Sequence, residues 1–306
     1  MTRLWDELEG EQLAGGYGLR HYLGSEGESA FFETAFGPDE RRALLKVTPD
    51  TPAGEEQLAR WRSAFELSNP HLLAMLDCGR AEAGGDSYLY AVFEFPDDNL
   101  AGALAGGALS EAETREVLVA ALEALRYLHG QNMVHGAVDA GHVVAVGDRI
   151  KLSSDTVHAS GHFAGNGAAA ADDVRALGTL LYRMRTGRKI EPGAAPELIG
   201  VADPLATIIR HALEPDAGRR WSVREIDAAL NPPAPVAEPP VAEKPAPEPA
   251  LEPPFLVRAL PKRSPALPLL LAAVGAVAIA VVLAVTQRST PDASDSTGIC
   301  HWSSRW

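Results

Sequence analysis

Cysteine is nearly missing from this chain. Its 306 residues contain two, Cys78 and Cys300, so neither a disulfide framework nor a cysteine-based metal site can be written from the sequence. Basic charge is also scarce: 27 Lys and Arg stand against 41 Asp and Glu, a net charge of −14. Nucleic-acid binders normally carry a basic patch, so this balance argues against nucleic acid as a partner. No long block of like charge stands out, and the acidity reads as a solvated surface. The first residues, "MTRLWDELEGEQL", lack the apolar run of a signal peptide. No internal repeat is visible in the first 230 residues.

Two segments near the C-terminal end have strongly biased composition. In "NPPAPVAEPPVAEKPAPEPALEPP", residues 231–254, ten of twenty-four residues are proline. Such a stretch cannot build a core. As polyproline II it would reach about 70 Å, at roughly 3.1 Å per residue, and act as a semi-rigid spacer. The second segment, "ALPLLLAAVGAVAIAVVLAV", residues 266–285, carries no charge and has the length of a membrane-spanning helix. Arg258, Lys262 and Arg263 precede it, and Arg288, Asp292 and Asp295 follow. The heavier positive side predicts an N-terminal domain in the cytoplasm and a short tail outside. Cys78 and Cys300 would then lie on opposite sides of the membrane. Ala272, Ala276, Ala280 and Ala284 recur every fourth residue, spacing that would let two such helices pack as a homodimer.

The first 230 residues alternate apolar runs with turn signals. Up to about residue 95 the runs are short and β-rich: "YGLRHYLG", "ESAFFETAF", "RALLKVT", "HLLAMLDCG" and "YLYAVFEF". One helix interrupts them over 53–68, with Leu58, Trp61, Phe65 and Leu67 on its apolar side. From Ser110 helices dominate. Ser110 and Glu113 form a capping box, and Leu118, Ala121, Leu122, Leu125 and Leu128 follow at helical spacing. Further helices are predicted over 170–186, 203–213 and 222–230. The expected fold is α+β: a small β-rich lobe (1–95), a larger helical lobe (96–230), a Pro-rich juxtamembrane linker (231–265), a membrane helix (266–286) and a short outer tail (287–306).

The order of motifs resembles that of the bacterial, eukaryotic-like (Hanks-type) serine/threonine protein kinases. "LGSEGESAFF" (23–32) is similar to their glycine-rich loop and "ALLKV" (43–47) to the strand bearing the phosphate-binding Lys, here Lys46. "YAVFEF" resembles the approach to the hinge, with Phe93 as gatekeeper and Glu94 opening the hinge. "YLHGQNMVHGAVDAGHV" resembles the run into the catalytic loop, and "KLSSDT" falls where the metal-binding triplet would be. "DDVRALGTLLYRMRTG" matches the central helix of the large lobe, with Asp173 at its acidic position, and "DAGRRWSVREI" resembles the final Arg-bearing turn. "SNPHLLAML" fits the turn and strand after the first helix. The resemblance covers about residues 15–230 and implies a two-lobed kinase-like fold with ATP as ligand.

The chemistry that the resemblance implies is incomplete here. Kinases position a phosphoryl group and neutralise its charge with Mg²⁺. Gly24 matches the first glycine of the loop, but Glu26 and Ser29 replace the next two and Gly27 is offset by one. The segment is either a working phosphate loop or a plain hairpin, and Glu26 would repel phosphate unless it turned outward. Lys46 lies in an apolar strand and needs a partner; Arg60 occupies the family's position for it, and Glu56 would serve if the helix shifted. Leu44 stands where the family prefers Ala and narrows the adenine pocket. In the loop, His135 is kept, while Gly136, Ala137 and His142 replace the family's Arg, Asp and Asn. An alanine methyl cannot take a proton, and imidazole is a poor ligand for hard Mg²⁺. Ser154 holds the carboxylate position of the triplet, with Asp155 next to it.

The nucleotide-binding set is therefore Gly24, Gly27, Lys46, Glu56, Glu94 and Asp155; Asp139 is the one catalytic candidate; no residue is assigned as a metal ligand. His158 and His162 have H-x₃-H spacing, but loop histidines are the simpler reading than zinc. The expected function is a membrane-tethered pseudokinase that binds a protein partner and keeps some ATP binding, with Mg²⁺ poorly provided for. Two alternatives stand. One is an active kinase that phosphorylates a protein substrate through Asp139 or Asp155. The other is a structural membrane-anchored interaction domain closed by Leu44 and Phe93.

Overall fold

The computed structural model describes residues 5–13, 16–161, 168–191 and 195–232. The N-terminal strands Gln12–Leu13 (β1) and Tyr17–Gly18 (β2) form a small hairpin. A five-stranded antiparallel sheet follows: His21–Glu26 (β3), Ser29–Phe36 (β4), Arg41–Pro49 (β5), Met75–Ala83 (β6) and Asp86–Glu94 (β7), in the order β3-β4-β5-β7-β6. The period-2 pattern sorts β5 between two environments. Ala43, Leu45 and Val47 join Phe32 and Val92 in one core, covered by Leu8, Leu13 and Leu19. Leu44 and Lys46 point the other way, across from Phe93 and Ala91 on β7.

That second face meets helix α1 (Gly54–Phe65), inserted between β5 and β6. Leu58, Trp61 and Ala64 are buried on it, whereas Phe65 at its end is exposed. The apolar stripe thus identifies the inner side of α1, but the covering layer stops short of the last residue. Leu67, expected on the helix, lies in the turn after it and packs on the core.

Beyond β7, a short strand Asp98–Asn99 (β8) leads into α2 (Leu100–Ala105) and α3 (Glu111–Gly130). The Ser110–Glu113 capping box closes the start of α3, and Leu118, Ala121, Leu122, Leu125 and Leu128 are all buried. The chain then forms β9 (Met133–Val134), the hairpin β10 (Val143–Val146) and β11 (Arg149–Leu152), and β12 (His158–Ala159), which pairs back with β9. Helices α4 (Ala168–Thr186), α5 (Leu205–Ala212) and α6 (Val223–Leu230) complete the helical part. One apolar core runs from the inner face of the sheet through α3, α4, α5 and α6.

The expected architecture needs one correction. The described residues form a mixed α+β structure with several sheets, and none of their helices is long and apolar enough to cross a membrane. The longest, α3, carries Glu111, Glu113, Arg115, Glu116, Glu123 and Arg126 beside its apolar stripe, which makes it an amphipathic core helix. The expected membrane helix 266–286, its alanine stripe, nearly all of the linker, the tail with Cys300, and His162 lie outside the described residues.

Candidate functional site

Two connections bring the distinctive residues together. The loop 135–142 joins β9 to β10, and the turn 153–157 joins β11 to β12. Because β10 and β11 are hairpin partners, with Val143 facing Leu152, the end of the loop and the start of the turn are neighbours. The Ser153 N–H donates to the His142 carbonyl at 2.8 Å. The segment leading into β6 meets this end through Leu73 and His71, whose backbones bond Leu152.

Asp155 comes to rest against the sheet. Its Oδ2 accepts from Lys46 Nζ at 2.5 Å, its Oδ1 accepts from the Ser153 hydroxyl, and its carbonyl accepts from Trp61 Nε1 at 2.9 Å. The Lys46 and Asp155 side chains are 12% and 3% exposed. Burial alone would push the Asp155 carboxyl up. The Lys46 ammonium, the His142 charge and the two hydrogen bonds outweigh it and bring the carboxyl down to about 2. Ser154 turns away, and its hydroxyl donates to the Leu73 carbonyl in the core at 2.8 Å. The carboxylate that reaches the cleft is therefore Asp155, one residue past the position that the motif alignment marks. Glu56 is not the partner of Lys46: its carboxylate accepts from Arg60, one turn on in α1. Glu94 accepts from Lys151 Nζ at 2.5 Å and from the Ala74 N–H at 2.8 Å.

The loop is pinned from below by Asp173 of α4. Its carboxylate accepts the backbone N–H groups of His135 and Gly136 and contacts His129 Nε2. Gly136 has φ +78, and a Cβ there would lie 2.7 Å from the His158 ring, so the position holds a glycine for backbone reasons. Burial holds the His135 imidazole below its ordinary pKa; the Asp173 charge opposes this and the His142 charge adds to it.

Asp139 folds back on its own loop. Its Oδ1 accepts from the Gly141 N–H at 2.8 Å, the His142 N–H at 3.2 Å and His142 Nδ1 at 2.9 Å. This is the local turn that an Asp side chain favours. Burial would raise its pKa, but the hydrogen bond and charge of His142, with the two N–H groups, hold it below the ordinary value. Conversely, burial would lower His142, but the Asp139 hydrogen bond and the charges of Asp155, Asp139 and Glu26 hold it above its ordinary value.

Of the two glycines, Gly24 lies inside β3 at a register shift, and Gly27 begins the two-residue turn Gly27–Glu28 with φ +56. Glycine is preferred at the first position of such hairpin turns. Glu26, just before the turn, is half exposed, and its Oε2 lies 3.7 Å from His142 Nε2. The contact unites residues 116 positions apart, which no sequence pattern indicates. Beside Lys46 a cavity of about 350 Å³ is lined by Ser29, Thr48, Arg60, Ala137, Thr156 and His158, among others.

The residues here fit Mg²⁺ badly. Ser154 is committed to the core, His142 to Asp139, and both oxygens of Asp155 to Lys46 and Ser153. Hard cations require oxygen ligands that can turn towards them. Among the described residues, no group of three or more His, Cys, Asp or Glu side chains is placed to hold a metal ion. Leu44 and Phe93 are register partners across β5 and β7 and pack in the core, where the adenine of a nucleotide was expected. Compared with known proteins, no family model matches the chain, and no curated protein matches it.

Proposed function

We propose that this chain is a pseudokinase: a kinase-like signalling domain that has given up phosphoryl transfer, works by binding a protein partner, and keeps a residual ATP contact at Lys46. The observation that carries this reading is the pairing of Lys46 with Asp155 beside an alanine. The Lys and one carboxylate of a phosphoryl-transfer cleft face each other at 2.5 Å, while the position for the substrate's proton acceptor is the methyl of Ala137 at the cavity wall. Phosphoryl transfer depends on positioning and charge neutralisation. Here Asp139, the nearest alternative base, has Oδ1 committed to three donors of its own loop.

The test uses the full chain and γ-labelled ATP, with thermal stability followed in parallel with and without Mg²⁺. The expected result is a small stabilisation by ATP, lost in Lys46→Met, and no labelled product on the chain or on a generic protein substrate. Transfer that disappears in both Lys46→Met and Asp139→Ala would make the protein an active kinase. A thermal profile indifferent to ATP removes the nucleotide contact and leaves partner binding alone.

A further inference from the structure

We propose that His142 is a proton-operated latch that holds the β3–β4 hairpin against the 135–142 loop. The inference rests on contacts and tautomers and is independent of the kinase-like reading.

His142 joins two elements. Its Nδ1 is 2.9 Å from Asp139 Oδ1 on its own loop, and its Nε2 is 3.7 Å from Glu26 Oε2 at the tip of the hairpin. Its side chain is 7% exposed. The other titratable groups facing it are Asp155, paired with Lys46, and the buried imidazole of His135, whose ring centre is 6.1 Å away. Asp139 Oδ1 already accepts two backbone N–H groups. A carboxylate oxygen in that position can only accept from the imidazole, so Nδ1 carries a proton in both charge states.

The proton that comes and goes is therefore the one on Nε2, the nitrogen that faces Glu26. With it, the contact is an ion pair between His142⁺ and Glu26⁻. Without it, a nitrogen lone pair faces a carboxylate at 3.7 Å, and two acceptors repel. A single proton thus reverses the sign of the contact that ties the hairpin to the loop, while the Asp139 bond remains. The net upward pull on His142 by its surrounding carboxylates places the release above pH 6.5. Closure is favoured below the folded-state pKa of His142 and weakened as pH rises through it. Because Glu26 is half exposed, its share corresponds to about a two- to fivefold change in hairpin opening.

Two measurements on the full chain test this. Amide hydrogen exchange of residues 23–31, corrected for intrinsic rates, is followed from pH 5.5 to 8.5. NMR titration of His142 Cε1–H gives its pKa directly. Protection of the hairpin should fall about two- to fivefold as His142 deprotonates, and Glu26→Gln should flatten that dependence and lower the His142 pKa. Glu26 is a surface residue, so its variant folds, and unchanged exchange in α3 serves as the control. Protection that does not vary with pH in the parent chain overturns the latch. So does an unchanged His142 pKa or an unchanged pH profile in Glu26→Gln.

Discussion

The carboxylate of Asp173 accepts the backbone N–H of His135 at 2.9 Å, from beneath the loop it holds. The same side chain takes the Gly136 N–H at 2.8 Å and lies 2.9 Å from His129 Nε2. All three donors come from segments that α3 and β9 deliver to one end of α4. Removing the acceptor strands buried N–H groups, which costs the full desolvation of each. Asp173→Ala should lower unfolding stability by about 3–5 kcal/mol, and Asp173→Asn, which keeps one carbonyl oxygen, by less. Urea unfolding of the three proteins checks the order; equal stability of the alanine variant would mean that the loop does not depend on this acceptor.

Lys46 and Asp155 behave as one buried unit. In Lys46→Met the carboxylate is left buried without its cation, and breaking such a pair costs about 3–5 kcal/mol near neutral pH. The acid dependence should change as well. The folded-state carboxyl of Asp155 is depressed to about 2 from an ordinary 3.8. Its stabilisation is therefore present above pH 3.8 and is lost as pH falls towards 2, about 2 kcal/mol in all. Lys46→Met removes the main cause of the depression, so the gap between the two proteins should narrow as pH is lowered from 5 to 2.5. Chemical denaturation across that range measures it; a constant gap contradicts the assignment.

Local order was legible in the sequence, and partnership across distance was not. The apolar run around it marked Lys46 as a charged group in need of a partner, and the capping box at Ser110 fixed the start of α3. Both rest on interactions within a few residues. The partner of Lys46 is 109 residues away, and counting along α1 pointed instead to Arg60 and Glu56, which bond to each other. Ser154 and Asp155 are adjacent, so a motif could not tell which would turn into the core; the hydrogen bond to the Leu73 carbonyl decides it. Gly136 reads as a lost arginine in a motif, yet its positive φ gives it a backbone role of its own. Glu26 illustrates the same limit, since its orientation depends on where an entire hairpin lies over a loop.

Gly136 offers a test of that backbone role. With φ +78 and the His158 ring 2.7 Å from a notional Cβ, a side chain adds left-handed strain and a steric shift together. Gly136→Ala should destabilise the fold by about 1–3 kcal/mol, visible as a lower urea midpoint at an unchanged slope. Stability equal to the parent would show that the loop can relax to an ordinary backbone conformation.

The Asp139–His142 pair should produce a stability window with two edges. The folded-state pKa of Asp139 is depressed below 3.8, so its contribution is present above that value and is lost as pH falls through the folded one. The folded-state pKa of His142 is raised above 6.5, so its contribution is complete below 6.5 and is lost as pH rises through the folded one. The pair therefore stabilises most between about pH 4 and 6.5 and less on either side. Asp139 is 58% exposed, and solvent screening limits the effect to about 0.5–1 kcal/mol. Asp139→Asn keeps an oxygen for the Gly141 and His142 N–H groups, so the turn persists and only the charged component goes. Denaturation midpoints of parent and variant from pH 4 to 9 should differ most near pH 5–6 and converge towards pH 9. A difference that stays constant with pH would mean that His142 carries no charge in the folded protein, and the Glu26 contact would then have no proton to respond to.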